Sequence, residues 1–510
     1  MKRNKLILIC VALLLSSGSA TVAFAQTEAQ KKAERTAESE TFRTSQFSVL
    51  AVKMNGDTVA CINPSRKLVP ASNMKLITTG IALLKLGKDF RFETKIGYTG
   101  SISNGILDGD VYIIGGGDPT TGSESDCAEA TSSLFGKWAS LLKKAGIKKV
   151  NGRIVADPRY FKISGAESNG WEYGDIGTYF GAGACGLNFF ENSQNFYVTP
   201  AATVGERTFV KIRYPETPWM TIVNSSSTSR ANTKNTLYYV NTGFGPYGEV
   251  RGFFPLNGKG CVLECDNEFG AYTCAYYFHR YLNANGISVS GKYADISSAG
   301  YIRTDLHYSE FGTPAAKSED IKVIGSTWSS PLSAIVTDTN KKSDNFFAET
   351  LMHMVGRKFE GSSEYDSCYV AYDKALAQLG LRQGSNCKIV DGSGLSRSNF
   401  VSPEFFVRFL TAMTKTSVYN EYLNSLACPT DKKSTVSGAL FNYPEPFRER
   451  IHCKSGSMTG VRCYSGYITS SDNDPSNTIV FSVMANNFTA GNSTVSAMML
   501  NLIGSIAEEN

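Results

Sequence analysis

The period of the apolar positions changes several times along the chain, and each change marks an element. From Phe47 to Ala60, Val49 and Ala51 alternate against Val59 around Asn55-Gly56, which predicts a hairpin. From Met74 the spacing lengthens. Leu76, Ile77, Ile81, Leu84 and Leu86 make an apolar helical run that Gly87 can end. From about Lys95 to Ser298 short strands alternate with Gly, Ser and Asn turns. Val111-Tyr112-Ile113-Ile114 and Ile154-Val155 are among these strands, and helical pieces near Ala128 to Ala145 and Tyr272 to Ala284 interrupt them. Helical spacing dominates from Ser329 to Leu426. It begins with Leu332, Ile335 and Val336 after Pro331, meets an expected polar break at Asp338-Thr339-Asn340, and resumes with Phe346, Phe347, Leu351, Met354 and Val355. Strands return at Ile451 to Ser457, Val461 to Thr469 and Thr478 to Ala485. An amphipathic helix carrying Val495, Met499, Leu502 and Ile506 closes the chain.

The two ends of the chain thus supply strands and flanking helices, and the middle supplies a β-rich stretch. A chain of 510 residues implies more than one domain. The pattern predicts an α+β fold, an antiparallel sheet covered by helices with a helical subdomain beside it. Residues 26–95 and 299–510 would form this domain, split by inserted domains at 96–298.

The first residues assign the compartment. Lys2, Arg3 and Lys5 precede an apolar run, Leu6 to Leu15, that is too short to span a bilayer. Ala23-Phe24-Ala25 then gives a cleavage site. Residues 1–25 read as a secretory signal peptide, which places the mature protein in the periplasm with no transmembrane segment. Removing them lowers the formal charge from +5 to +2, which gives no argument for nucleic acid. The segment after it, Thr27 to Thr41, is polar and expected to be mobile or helical. Eleven of the twelve cysteines remain after cleavage, so at least one is unpaired. Export permits a mixture of bridges and buried thiols; Cys261, Cys265 and Cys274 are close in sequence, as are Cys453 and Cys463 across the hairpin, and spacing does not assign the pairing. There is no C-x-x-C and there are only four histidines, so no metal site and no cofactor are expected.

Three short strings carry the chemistry. Ser72-Asn73-Met74-Lys75 puts a hydroxyl and an amine three residues apart, on one face if the segment is helical. A serine needs a base within reach to be a nucleophile. A lysine serves as that base only when burial or a neighbouring cation lowers its pKa, and Lys454 is the expected neighbour. Ser140 to Lys143 and Ser385 to Lys388 share the S-x-x-K spacing. Only Ser72 follows Pro70-Ala71, read as an extended entry, and opens a buried apolar helix. A plain helix cap would explain Ser72 but not Lys75. Ser343-Asp344-Asn345 links two apolar helices. Ser193 to Asn195 and Ser471 to Asn473 also match S-x-N, and the latter reads as a turn. Lys454-Ser455-Gly456 opens the late hairpin. Glycine in a strand marks a close approach of backbone or ligand, although an edge strand with a protective lysine reads the same way.

In this order the strings match the S-x-x-K, S-x-N and K-[ST]-G set of serine acyl-transferases acting on D-alanyl peptides and β-lactams. With Gly116-Gly117-Asp118-Pro119-Thr120, Gly170-Trp171-Glu172-Tyr173-Gly174-Asp175 and Asp391-Gly392-Ser393-Gly394-Leu395-Ser396-Arg397, the chain resembles the class C low-molecular-mass penicillin-binding proteins of the peptidase S13 family, from about Phe47 to the C-terminus. The resemblance implies a penicillin-binding, β-lactamase-like transpeptidase domain with a two-domain insertion. It implies a D-alanyl-D-alanine carboxypeptidase or endopeptidase whose partners are peptidoglycan stem peptides and β-lactam antibiotics. It makes Ser72 the nucleophile, Lys75 its base, and Ser343 with Lys454 the relay to the leaving amine. Asn345 would hold the substrate amide, and Lys454 and Ser455 its carboxylate. The N–H groups of Ser72 and Ser457, beside Gly456, would form the oxyanion hole. Asp175 would meet the distal amine of the diamino acid, unless it is a helix cap. A β-lactamase and a non-catalytic peptidoglycan-binding scaffold are the rival readings. The spacing of about 270 residues between Ser72 and Ser343 argues against a compact β-lactamase, and five intact motif residues argue against the scaffold.

Overall fold

The computed structural model describes residues 26–161, 170–241, 245–296, 320–472 and 474–510. The expected signal peptide and the expected 298/299 junction lie outside the described residues. Five strands form the central sheet: β1 (Gln46–Lys53), β2 (Thr58–Ile62), β3 (Ile451–Met458), β4 (Val461–Ile468) and β5 (Ile479–Asn486). Their order is β2-β1-β5-β4-β3, antiparallel throughout. β1 pairs with β5 from Gln46 opposite Asn486 to Lys53 opposite Ile479, so the two ends of the chain close one sheet.

All eight residues of β5 are buried because both faces are covered. Phe481, Val483 and Ala485 point to one core, built with helices Glu28–Glu38 and Asn492–Glu508. Val480 and Met484 point to the other, which contains helices Met74–Leu86, Leu332–Lys342, Asn345–Glu360 and Pro403–Met413. The leader segment is therefore helical and docked, with Ala29 and Ala33 fully buried.

Two local expectations are corrected. Asp338, Thr339 and Asn340 do not break a helix; they lie in its last turns and are buried. Tertiary partners make this tolerable: Asn340 donates to Thr79 and Ser425, and Asp338 accepts from the Cys127 N–H and from Ser125. The entry to Ser72 is not extended either. Pro70 is helical, and Ala71 is left-handed at φ 46°.

Two main cores lie among the described residues of the inserted region. One mixed sheet orders Tyr293–Asp295, Ile154–Asp157, Val111–Ile114, Glu93–Tyr98 and Lys322–Trp328. Helices Thr131–Lys144 and Gly270–Ala284 bury Phe135, Trp138 and Phe278 against each other within its core. A smaller core of Phe196, Val198, Tyr239, Val250 and Cys265 joins two three-stranded sheets. Strand Glu93–Tyr98 runs through the 95/96 junction expected from sequence and pairs with Lys322–Trp328 beyond residue 299. Cys261, Cys265, Cys274, Cys453 and Cys463 are all free thiols, where a mixture of bridges and buried thiols is expected from sequence. The register explains the last two: Cys453 lies opposite Gly466, and Cys463 opposite Gly456. Among the described residues, no helix is long and apolar enough to cross a membrane.

Candidate active site

Ser72 sits in a single 3₁₀ turn, Ala71–Asn73, that runs directly into helix Met74–Leu86. Its hydroxyl makes no cap bond; it faces Lys75 Nζ at 3.0 Å, as the three-residue spacing predicts. Lys75 is fully buried. Its amine also donates to Asn345 Oδ1 at 2.6 Å and to the Ser393 carbonyl at 2.8 Å. Burial pushes its pKa down to about 8, and the carboxyls of Asp344, Glu349 and Asp391 oppose that fall. Desolvation thus does the work that the sequence assigned to Lys454. Lys454 is itself fully buried and held well below the usual lysine range, first by burial and then by Lys75.

Two glycines let backbone crowd the Ser72 turn. A Cβ on Gly456 of β3 would lie 2.7 Å from the Pro70 carbonyl and 3.1 Å from the Ser72 nitrogen. One on Gly394 would lie 1.9 Å from the Ala71 carbonyl. The K-S-G strand and the D-G-S-G loop therefore clamp the Ser72 turn from two sides. The loop is fixed by buried carboxylates. Asp391 accepts from the N–H groups of Gly394 and Ser396, from Asn399 and from Trp171 Nε1. Glu349 accepts from the N–H groups of Gly392 and Ser393 and from Tyr365.

Ser343 ends helix Leu332–Lys342 in the left-handed conformation, φ 64°. Asp344, not Ser343, caps the next helix, accepting from Phe347 N at 2.7 Å. This leaves Ser343 on the wall of the cleft. Asn345 uses both ends of its amide, accepting from Lys75 and donating to the Phe180 carbonyl at 2.9 Å. Lys454 donates to the carbonyl of Ser455, and the Ser455 hydroxyl to Thr435 Oγ1, both at 2.8 Å.

A cleft of about 630 Å³ opens over these groups, lined by Ser72, Ser343, Asn345 and Ser457 on one side and by Asp175, Tyr179, Glu191 and Glu264 of the inserted region on the other. Asp175 is not a helix cap. It lies in a turn, accepts from Glu172 N at 3.3 Å, and is pushed up mainly by burial. Of the predicted site residues, Ser72, Ser343, Asn345, Ser457 and Asp175 line the cleft, while Lys75, Lys454, Ser455 and Gly456 do not line it, and Lys75 and Lys454 are fully buried. Sequence reading assigned no role to Ser393, Glu349, Thr435 or Glu191. Glu349 left a signal, a lone acid within the apolar run Phe346 to Val355. Glu191 left none.

Comparisons with known proteins show the family and the fold. The chain is 26% identical over 442 residues to a D-alanyl-D-alanine carboxypeptidase of Actinomadura sp. (strain R39), covering 84% of this chain and 76% of that protein. It is 26% identical to the D-alanyl-D-alanine carboxypeptidase DacB of Haemophilus influenzae, covering 81% and 79%. The crystal structure of penicillin binding protein 4 (dacB) from Haemophilus influenzae superposes with a TM-score of 0.75 at 23% identity, over 93% of this chain and 99% of that one, and so shares its fold. The model of the D-Ala-D-Ala carboxypeptidase 3 (S13) family matches residues 29–506, and the chain belongs to that family.

Proposed function

We propose that the mature chain is a periplasmic serine DD-peptidase. It would cleave D-Ala-D-Ala termini, D-Ala–diamino acid cross-links of peptidoglycan, or both, through an acyl-enzyme on Ser72. One observation carries the reading: a buried Lys75 amine whose three neighbours are Ser72 Oγ, Asn345 Oδ1 and the Ser393 carbonyl. In the neutral amine, two N–H bonds point at the two carbonyl-type oxygens. The lone pair then points at the Ser72 hydroxyl and can take its proton. With a pKa of about 8, about a tenth of the amine is neutral at pH 7.

Ser72 Oγ then attacks the D-Ala carbonyl, and the N–H groups of Ser72 and Ser457 receive the oxyanion. Ser343, with Lys454 behind it, returns the proton to the leaving amine. The terminal carboxylate meets Lys454 and Ser455. A substrate amide would take the place of the Phe180 carbonyl on Asn345. Water then hydrolyses the ester. β-Lactams would enter the same path and be released slowly. The basic start Lys2, Arg3 and Lys5, the short apolar run Leu6 to Leu15 and Ala23-Phe24-Ala25 support export. The shared sheet of Glu93–Tyr98 and Lys322–Trp328 supports an insert that begins before residue 93 and ends after residue 328.

The test uses a fluorescent penicillin on wild type and Ser72→Ala. Stable label on wild type alone is expected. Label lost within seconds would mean a β-lactamase, absence of label on folded protein would mean a scaffold, and equal label on both would mean another serine. For Asp175, charge reversal by Asp175→Lys should weaken cleavage of cross-linked peptides more than acylation by penicillin; unchanged cleavage would remove Asp175 from the site.

A further inference from the structure

Glu191 comes from the inserted region, yet its side chain lies in the catalytic cleft beside Asp344. The backbone that carries it is unusual. Phe190, Glu191 and Asn192 are three consecutive non-glycine residues in the left-handed region, at φ 53°, 55° and 47°. Each such residue is unfavourable, so surrounding structure must hold the run. Asn192 does much of this, bonding Gly183, Asn188 and the Phe189 N–H. The consequence is that Glu191 projects toward the S-D-N link. Ser123 donates to Glu191 Oε1 at 2.5 Å, and Glu191 shares the cleft wall with Asp344, whose carboxyl lies against its own.

Two carboxyl groups hydrogen-bond to each other only with a proton between them. Asp344 already accepts from Phe347 N as a helix cap and lies near the Lys75 ammonium, so it is the better anion. Glu191 is the better acid, enclosed and next to that anion. We infer that Glu191 is a positioning residue of the catalytic site: its protonated carboxyl donates to Asp344 and thereby fixes the helix start that presents Asn345 to Lys75.

The inference rests on the acyl-enzyme reading above. It gives the site a second titration. Burial and Asp344 push Glu191 up to about 8, and Lys342 pulls the other way. The charged and titratable groups around the pair are Lys75, Lys342, Asp338, Tyr179 and Glu264, with Asp126 bound to Lys342. Above that pH the pair becomes two carboxylates, which repel and loosen the Asp344 cap. The acylation rate, rising with pH as Lys75 becomes neutral, should then fall on the alkaline side.

The experiment measures penicillin acylation of the full mature chain from pH 6 to 10, separating the binding constant from the acylation step. Glu191→Gln keeps a donor toward Asp344 and an acceptor for Ser123 but cannot ionise. It should acylate within about twofold of wild type at pH 7 and lose the alkaline fall. Glu191→Ala should slow the acylation step about tenfold with binding little changed. Where that variant folds poorly, Ser123→Ala should slow the same step by a few-fold. An alkaline limb in Glu191→Gln equal to that of wild type would overturn the inference. So would equal damage from Gln and Ala in folded proteins. A wild type that takes no label would overturn the acyl-enzyme reading as well.

Discussion

The catalytic half and the inserted half bury different things. Around Ser72 the catalytic half encloses Lys75, Lys454, Glu349 and Asp391, all at or below 1% exposure. The principal core of the insert encloses rings, with Phe135 against Trp138, Phe189 and Phe278. Charges are costly to bury and are retained where their altered chemistry is used. Apolar rings are cheap to bury and hold a shape. On the proposed reading, the difference teaches that the first half supplies reactivity and the second supplies a wall of the cleft. Among the contacts that join them are Trp171 to Asp391, Phe180 to Asn345, and Glu191 to Asp344. Each one reaches a buried or cleft-lining residue around Ser72 rather than bare surface.

That contrast can be broken from either side. The largest effect should follow Ser72→Ala, which removes the penicillin label completely while the circular dichroism spectrum stays that of wild type. Next, Lys75→Met should lower the acylation rate by about 10²–10⁴-fold, the usual weight of a positioned base. A Lys75→Met protein that acylates at more than a tenth of the wild-type rate would show that another group takes the Ser72 proton.

In the insert, Trp138→Ala should cost about 3–5 kcal/mol of stability, read from denaturant unfolding. Trp138 is fully buried and donates to Thr327 Oγ1 at 2.8 Å, but it lines no part of the cleft. Protein that remains folded should acylate at the wild-type rate. A matching fall in that rate would mean that the wall is not independent of the chemistry.

The pH response is smaller. Lys75 must be neutral to act as base, and its pKa is lowered to about 8. Below that value the neutral fraction falls about tenfold per pH unit, so acylation should fall in the same proportion from pH 7 to pH 6. A rate that is flat over this window would exclude Lys75 as the titrating base. The smallest effect should come from Trp171→Phe, which keeps the ring and removes one of several donors to Asp391. A loss of about 1–2 kcal/mol in stability and a few-fold loss in acylation are expected.

Some of this was legible without coordinates. The Ser72–Lys75 pairing is local: a helical spacing of three puts both side chains on one face wherever the helix lies. The hairpin turn at Asn55-Gly56, the helix stop at Gly87 and the strands flanking Lys454 follow from turn chemistry and period in the same way. The Asp338-Thr339-Asn340 segment was misread because polarity reads as exposure until the partners, Thr79 and Ser425, are brought from 261 and 85 residues away. The free thiols of Cys453 and Cys463 have a similar reason, since nearness in sequence does not fix cross-strand register.

The sequence by itself determined which residue types meet and in which local units, because those depend on neighbours within one or two turns. The tertiary structure decided what each unit becomes chemically. Lys75 is an ordinary lysine until the fold removes its water and turns the Ser393 carbonyl toward it. Glu191 is an ordinary acid until the chain turns left-handed three times and sets it against Asp344. Solvation and long-range charge depend on which surfaces close over a group, and no stretch of sequence around that group contains this information.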